Sequence, residues 1–220
     1  LQQRLDMSFD YYIRATKDML IKVAYPSLLG TDAPPANAAE LKTRGWELTL
    51  NWRDKIGEDF SYSLGLVLSD SQAEITIYNI PTGDLNTYYE GMKVGEIWGY
   101  RVEGLFQSDE EAANWYSQKD ISNVVWGAGD IKVKDVDGNG VIDNGIETLD
   151  DHGDLEIIGN TTPRYQYGIT ANLTYKDYYL NIFFQGVGKR EYMPTDEAFW
   201  PAGSEYYNAQ KWHVYDSWTP

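Results

Sequence analysis

The chain has 220 residues, of which 34 are acidic and 18 basic, so its formal net charge is −16. A charge of this sign repels phosphate groups, which argues against nucleic acid as a partner and against a polybasic membrane anchor. The chain has no cysteine, which excludes disulfides, thiolate metal sites and a cysteine nucleophile and leaves oxygen and imidazole ligands for any metal.

A membrane-spanning helix is excluded by the distribution of apolar residues. Runs without a polar residue, such as Leu64–Leu68, fall far short of the roughly 18 apolar residues that a spanning helix needs. A transmembrane β-barrel stays compatible with the sequence, because barrel strands alternate apolar and polar residues and never produce a long apolar run.

Alternation of apolar and polar residues predicts three strands in the first third of the chain. The first is Leu5–Ala15, and the stretch Pro26–Ala39, rich in proline and alanine, is predicted to be a surface loop. Trp46–Trp52 and Phe60–Leu68 then alternate in the same way and are joined by a short connection around Lys55–Asp59. These elements are predicted to form antiparallel strands.

Residues 76–162 form the longest connection, which is too long for a structureless loop and is therefore predicted to be folded. Ser108–Glu111 resembles a capping box and predicts a short helix after Ser108. Ile131–Lys134 alternates like a strand and leads into a stretch rich in aspartate.

Two further strands are predicted at Tyr165–Tyr175 and Tyr178–Phe184, joined by Lys176 and Asp177 alone. Short and long connections thus alternate along the chain, and aromatic residues stand at the strand ends that flank the short turns. Both features are typical of outer-membrane barrels. Trp52, Phe60, Tyr62, Tyr175 and Tyr178 are the aromatic residues in question.

The fold class expected from these elements is all-β, an antiparallel transmembrane β-barrel fragment with a long folded extracellular loop that contains a short helix and a calcium loop. Five strands cannot close a barrel, so the sequence is expected to be a piece cut at both ends. The expected parts are strands and a loop in 1–75, an extracellular loop domain in 76–162, a barrel hairpin in 163–187 and the start of a further loop in 188–220. The alternative is a soluble calcium-binding β-sandwich module for carbohydrate binding or adhesion, in which the same apolar faces form a core.

The sharpest motif runs from Asp135 to Asp143 and has the spacing of the first nine positions of a calcium loop. Oxygen ligands are expected at positions 1, 3, 5 and 9, a backbone carbonyl at position 7, and glycine at position 6, where the chain turns sharply. Position 12, which normally supplies the closing carboxylate, is Ile146. The alternative is an Asp/Asn/Gly turn that binds no ion. The expected ligands are Asp135, Asp137, Asn139, Val141 and Asp143, with a closing ligand from Glu147, Asp150, Asp151 or Asp154.

No pattern indicates catalysis. His152 and His213 are isolated, and the chain has no nucleophile elbow and no phosphate-binding loop. Among 34 carboxylates some pair will stand at a glycosidase spacing by chance, so a glycan-cleaving enzyme has no specific support. The chain is therefore not expected to be an enzyme.

A series of motifs along nearly the whole chain resembles the SusC/RagA family of TonB-dependent outer-membrane transporters, including a strand of DYY-x3-TKDLL type before one of KGxE type. Jointly these motifs are specific, although each alone is weak. In chain order they are Tyr11–Leu20, Arg44–Leu48, Tyr89–Tyr100, Gly104–Gln107, Gly129–Lys132, Ile158–Gly168, Phe184–Gly186 and Asp216–Pro220.

The resemblance implies part of the C-terminal half of a 22-stranded, plugged barrel in the outer membrane, with its long loops outside the cell. It implies import of oligosaccharides or peptides with a SusD-like surface lipoprotein, driven by TonB through an N-terminal segment absent from this sequence. It also implies that Asp154, five residues before Gly159 and after an apparent insertion of about eight residues, matches the acid that closes the family's Asp-rich loop. Ca²⁺ would then be a structural cofactor, and neither the substrate nor the particular lipoprotein follows from the sequence.

Overall fold

A computed structural model describes residues 4–22, 34–79, 83–194, 199, 210–215 and 217–219. The described residues form two compact units, one drawn from 1–82, 87–96 and 160–191 and the other from 83–86, 97–159 and 192–220. In chain order the elements are β1 (Leu5–Lys22), β2 (Pro35–Ile56), β3 (Phe60–Tyr78), β4 (Glu96–Tyr100), β5 (Val102–Leu105), α1 (Asp109–Asn114), β6 (Ile131–Val133), β7 (Leu155–Asn160), β8 (Arg164–Tyr175), β9 (Tyr178–Lys189) and α2 (Lys211–Tyr215).

The first unit is built on a five-stranded antiparallel sheet with the order β1-β2-β3-β8-β9. All five predicted strands are present, and the predicted mainly antiparallel strand architecture is confirmed. The two short connections are tight turns at 57–59 and 176–177, where Gly57 and Lys176 adopt φ angles of 67° and 53°. The described strands form an open sheet and do not close a barrel.

Three strands are much longer than their alternating segments: β1 has 18 residues, β2 has 22 and β3 has 19. The prediction of a surface loop over Pro26–Ala39 is wrong for its last part, because β2 begins at Pro35; residues 23–33 lie outside the described residues. Register shifts between Thr16 and Met19 and between Glu40 and Leu41 interrupt the alternation. These bulges explain why periodicity alone could not reveal the extensions.

The register sorts the sheet into an apolar and a polar face, since laterally paired residues point to the same side. One row of paired residues on the apolar face is Met7, Leu50, Leu66, Ile169 and Phe184. The next row, on the opposite face, is Ser8, Thr49, Val67, Gly168 and Gln185. The predicted faces therefore extend across all five strands.

The apolar face is exposed over much of its area, with Met7 and Phe184 accessible over 62% and 63% of their surface. The buried apolar side chains of this unit lie elsewhere, where residues 89–94 pair with the end of β3. There Ile75 donates its N–H to the carbonyl of Met92 at 2.9 Å, and Gly91 donates to the carbonyl of Ile75 at 2.8 Å. The buried set is Ala38, Ala39, Ile75, Tyr89 and Met92.

The second unit has a small core around Phe106, Val133 and Ile142, which are fully buried. Strands β5 and β6 pair antiparallel, and β4 pairs with β7 in a separate two-stranded sheet. The ring of Trp115 lies edge-on to Phe106, with centroids 6.3 Å apart, and its indole N–H donates to the carbonyl of Val133 at 3.0 Å. A few large side chains thus organise this unit.

The predicted helix start at Ser108 is confirmed. The Ser108 hydroxyl accepts the N–H of Glu111 at 3.1 Å, and the Glu111 carboxylate accepts the N–H of Gln107 at 2.7 Å. The helix ends after six residues. Neither helix in the described part of the chain combines the length and the apolar character that a membrane crossing requires.

Candidate metal centre

The turn Asp135–Asp143 is shaped by side-chain oxygens that accept backbone N–H groups ahead of them. Asp135 accepts from Gly138 at 2.7 Å and from Gly140 at 3.0 Å. Asp137 and Asn139 each accept the N–H of the residue two positions later, at 2.9 and 2.7 Å. Each of these bonds draws the chain around the same side of the turn and leaves further lone pairs on the oxygens.

Two glycines allow this turn to close. Gly138 and Gly140 have φ angles of 78° and 86°, and no atom lies within 4 Å of where a Cβ would stand on either residue. Glycine is therefore favoured here by its backbone freedom and not by lack of space. Gly140 occupies the sixth position of the motif, where the sequence predicted a sharp turn.

Asp154 is the most deeply placed acid of the second unit, with none of its surface accessible. One of its carboxylate oxygens accepts the N–H of Val136 at 2.6 Å, and the other accepts that of Asp143 at 2.9 Å. Burial of a carboxylate is costly unless its charge is compensated, and these N–H groups supply part of the compensation.

The inserted segment 144–153 folds back on itself and returns the chain to the turn. The N–H of Asp154 donates to the carbonyl of Asp143 at 2.9 Å. Gly145 and Gly153 approach so closely that a Cβ on Gly153 would lie 2.6 Å from the nitrogen of Gly145. Asp154 therefore stands beside Asp143 in space, although ten residues separate them in the sequence.

Three of the six predicted ligands converge. Asp135, Asp137 and Asp154 each offer a carboxylate oxygen, and these oxygens all lie within 4.8 Å of one another. Such a spacing fits oxygens arranged around a single hard cation. The other three predicted ligands, Asn139, Val141 and Asp143, belong to the same turn; the carboxylate of Asp143 accepts the N–H of Gly145 at 2.8 Å.

The turn is anchored to the core of its unit through Ile142. Ile142 is fully buried, and its N–H donates to the carbonyl of Ser117 at 2.8 Å. The neighbouring Gln118 is also buried; its amide accepts from Val133 at 2.8 Å and donates to Ile131 at 3.1 Å. Gln118 thus links β6 to the segment next to Ser117, which accepts the N–H of Ile142 from the turn. No sequence pattern indicated this role.

Further acidic groups surround the site. Asp120 and Asp151 line a concavity of about 540 Å³ together with Asp137 and Asp143. Burial, reinforced by the negative charges of Asp143 and Asp154, raises the pKa of the nearby Tyr100 above its usual value. Asp120 and Tyr100 were missed by sequence reasoning, because only tertiary folding brings them to the turn.

The comparisons with known proteins agree with this architecture. No protein-family model matches the chain. Three curated proteins of Formosa agariphila, each named TonB-dependent receptor, are 28%, 26% and 25% identical to it over 200, 208 and 236 residues. These alignments cover 83%, 83% and 99% of this chain.

The fold is also similar to solved structures. The RagAB peptide importer in its 'open-open' state matches with a TM-score of 0.58 and 19% identity, and the RagAB peptide transporter matches with a TM-score of 0.52 and 19% identity. Each match covers 84% of this chain and 19% of the solved chain. The curated relatives and the solved structures together support a fragment of a SusC/RagA TonB-dependent receptor. The resemblance predicted from the motifs is thereby confirmed.

The chain spans about a fifth of the length of the curated relatives it matches, from 18% to 22%.

Proposed function

We propose that this chain forms part of the wall of an outer-membrane barrel and that the complete receptor imports nutrients through it. The observation that carries the proposal is the division of the sheet into one polar and one exposed apolar face. A soluble domain rarely exposes an apolar area that spans five strands, whereas the outer surface of a membrane barrel must do so.

The height of the apolar band fits a bilayer. On β3 the band runs from Phe60 up to the level of Asp70, a distance of ten residue steps or about 34 Å along the strand. A tilt of about 40° reduces this length to a height of about 26 Å, close to the roughly 25 Å apolar belt of outer-membrane barrels. Stacked aromatic pairs lie near both limits, Phe60 with Tyr62 and Phe9 with Trp46, with centroids 6.0 and 6.5 Å apart.

The alternative, a soluble calcium-binding sandwich, requires this face to be covered. In a sandwich the inward side chains of one sheet interdigitate with those of a second sheet about 10 Å away. Phe9, Leu64 and Phe184 are instead accessible in the described structure, whose buried apolar residues lie outside the band. We therefore favour lipid as the partner of this face.

The import function rests on the family and on its named structures. The similar solved structures are those of RagAB, a peptide transporter and importer. We propose for the whole receptor the corresponding activity, import of oligosaccharides or peptides together with a SusD-like surface lipoprotein and with energy delivered through TonB. Import breaks no covalent bond in the substrate, so we assign no catalytic residue.

We further propose that the Asp-rich turn binds one structural Ca²⁺. Calcium prefers six to eight oxygen ligands, and the turn offers the carboxylates of Asp135, Asp137 and Asp154 within reach of one point. The amide of Asn139, the carbonyl of Val141 and the carboxylate of Asp143 complete the proposed ligand set. The ion would neutralise part of the charge of residues 76–162, which carry 17 acidic and 5 basic side chains, a net −12.

In the proposed receptor this acidic segment stands outside the cell. An acidic surface is compatible with the aqueous exterior and is unfavourable against anionic lipid headgroups. The segment is long enough to contribute to contacts with the lipoprotein.

The assignment of these strands to the barrel wall can be tested with two single-cysteine variants, because this part of the receptor contains no cysteine of its own. Ile169→Cys and Thr170→Cys are adjacent on β8 and are predicted to face lipid and lumen, respectively. In the full-length receptor in proteoliposomes, a bimane label at 169 should be quenched by doxyl lipids and one at 170 by aqueous iodide. Equal quenching at the two positions would contradict the assignment.

The import activity is tested separately in cells. Uptake of labelled oligosaccharide and peptide mixtures should depend on the receptor, on TonB and on the neighbouring lipoprotein. Uptake that persists without the receptor would refute the proposal.

A further inference from the structure

The inserted segment 144–153 is held in place by a second stretch of the same unit, Gly83–Asn86. The N–H of Leu85 donates to the carbonyl of Glu147 at 2.9 Å, and the N–H of Leu149 donates to the first carbonyl of that stretch at 3.0 Å. Leu85 is buried, with 9% of its surface accessible, so the stretch is itself anchored. The insertion is therefore supported from outside as well as by its own hydrogen bonds.

The side chain of Glu147 joins the two segments. One of its carboxylate oxygens accepts an amide N–H of Asn86 at 2.7 Å, and the other accepts an amide N–H of Asn144 at 2.5 Å. The sequence alone left Glu147 as one of four candidates for the closing ligand, and Asp154 is the acid that converges with the turn. The two oxygens of Glu147 serve instead to connect neighbouring segments.

The backbone of Glu147 is also fixed. Its φ angle is 57°, in the left-handed region, which is unfavourable for a residue with a long side chain and persists where the surroundings impose it. The N–H of Glu147 donates to the carbonyl of Asn144 at 3.1 Å, and its carbonyl accepts the N–H of Leu85. The N–H, the carbonyl and the carboxylate of this one residue are thus all engaged.

The conformation of the insertion matters for the proposed ion because a proposed ligand stands at each of its ends. Asp143 precedes the segment and Asp154 follows it, so Asp154 reaches the turn only when segment 144–153 closes back on itself. A free loop would lose conformational entropy on closing each time an ion binds. A loop that is closed before the ion arrives avoids this cost and binds more tightly.

We propose that Glu147 is a positioning residue for the calcium site. Together with Asn86 and Asn144 it holds the insertion closed and so places Asp154 among the ligands, without binding the ion itself. Partners that orient metal ligands from outside typically change the metal affinity by about 10–100-fold when they are removed. The proposal rests on the proposed structural Ca²⁺ and makes its affinity depend on a distant part of the sequence.

The test measures cation binding by the full-length receptor. Tb³⁺, a hard cation that takes the oxygen ligands of calcium sites, luminesces when a nearby aromatic residue is excited, and Tyr100 lies near Asp143 and Asp154. The luminescence that Asp137→Ala removes identifies this site within the receptor. Displacement of Tb³⁺ gives the affinity for Ca²⁺, and the luminescence lifetimes in H₂O and D₂O give the hydration of the bound ion.

Glu147→Ala should weaken Ca²⁺ binding about tenfold, the lower end of the range for such partners. Asn86→Ala should weaken it in the same direction, although this change removes no charge. Asp150→Asn removes one charge from an exposed position of the same insertion and is the matched control; at physiological salt it should change the affinity less than about twofold.

A pair of variants tests the contact between Asn86 and Glu147 directly. Asn86→Asp places two carboxylates against each other, and it should weaken binding because neither group can donate a hydrogen bond. Adding Glu147→Gln restores a donor and an acceptor, keeps an oxygen for Asn144 and returns the net charge to that of the wild type. This double variant should recover most of the affinity.

The hydration of the bound ion separates positioning from general destabilisation. When Asp154 is held less firmly, water takes its place, so Tb³⁺ at saturation should carry additional coordinated water in Glu147→Ala and not in the double variant. Thermal unfolding verifies that each variant is folded.

Wild-type affinity in both Glu147→Ala and Asn86→Ala would overturn the positioning role. So would a lower affinity without a change in hydration, or an equal loss of affinity in Asp150→Asn. If the wild type shows no Tb³⁺ luminescence that Asp137→Ala removes, the calcium site itself is refuted.

Discussion

Removal of the proposed calcium ion should loosen the second unit around Asp154 without unfolding the five-stranded sheet. Oxygens of Asp135, Asp137 and Asp154 lie within 4.8 Å of one another. At an effective dielectric constant of about 20, two unit charges at that separation repel each other by about 3.5 kcal/mol. A bound cation removes this repulsion, and a ligand present at about a thousand times its dissociation constant stabilises the folded form by about 4 kcal/mol.

The assay is limited proteolysis of the full-length receptor in millimolar calcium or in EDTA. Where cleavage follows the population of the open form, the loss of about 4 kcal/mol of stabilisation corresponds to a cleavage rate up to about a thousandfold higher. The new cleavage sites should fall within 135–154. The circular dichroism of the strands should stay constant, because no ligand of the proposed ion belongs to the five-stranded sheet.

Two variants at the site each remove one carboxylate from the proposed ligand set. Asp154→Asn removes the charge and replaces one of the two oxygens that accept backbone N–H groups, so calcium should no longer protect it. Asp137→Ala should behave like the chelated wild type. Asp150→Asn, an exposed residue of the inserted segment, is the matched control and should respond to calcium like the wild type. Equal cleavage of the wild type in calcium and in EDTA would refute the reasoning.

Three further predictions concern other contacts. Replacement of Gly45 by Val should destabilise the sheet by about 1–3 kcal/mol, because its Cβ would stand 2.5 Å from the ring of Tyr12; an unchanged urea midpoint of the receptor would contradict this. Asp70→Ala should lower the free energy of unfolding by about 1–3 kcal/mol, because it leaves the partly buried guanidinium of Arg164 without its carboxylate partner. In the same urea titration the double variant Asp70→Ala/Arg164→Leu should recover part of this loss. The Glu111 carboxylate accepts the backbone N–H of Gln107 and a hydrogen bond from Lys132, and both interactions lower its pKa. The stabilisation that Glu111 gives to α1 is therefore complete above its unfolded pKa of about 4.3. It is lost as the pH falls through the lower pKa of the folded state. The protection of the α1 amides against hydrogen exchange, relative to their intrinsic rate at each pH, should therefore fall below about pH 4, and Glu111→Gln should abolish that dependence.

The strand positions could be predicted because both faces of the sheet follow a strict period of two. Met7 and Phe184 belong to the first and last strands, and each was assigned to the correct face from its immediate neighbours alone. The extension of β2 back to Pro35 could not be predicted, since proline and alanine indicate a loop and the bulge at Glu40 shifts the phase of the alternation. Neither residue propensity nor hydrophobic periodicity indicated a strand in this part of β2. It is a strand because it pairs with β1 and β3.

The turn that begins at Asp135 was evident from spacing, because all its oxygens stand on consecutive odd positions. The residues alone left Asp154 as one of four candidate closing acids, and the family resemblance selected it across the insertion. Its position depends on the close approach of Gly145 and Gly153, a contact between residues eight positions apart that no local pattern encodes. Gln118 and Tyr100 reach the site from other segments of the unit and for the same reason gave no signal in the sequence.

The length of the strands has a consequence for the outer surface of the proposed receptor. Above the level of Trp46 and Asp70, β2 continues for eleven residues and β3 for eight, which at a tilt of about 40° adds roughly 20–30 Å of height. The wall would therefore project well into the aqueous exterior as continuous hydrogen-bonded ribbon. Inserting two residues into paired positions of both strands would raise this rim by about 5 Å and keep every side chain on its face, whereas inserting one would exchange the faces beyond it. Insertions or deletions that change the height of such a rim are thus expected to involve an even number of residues in each strand.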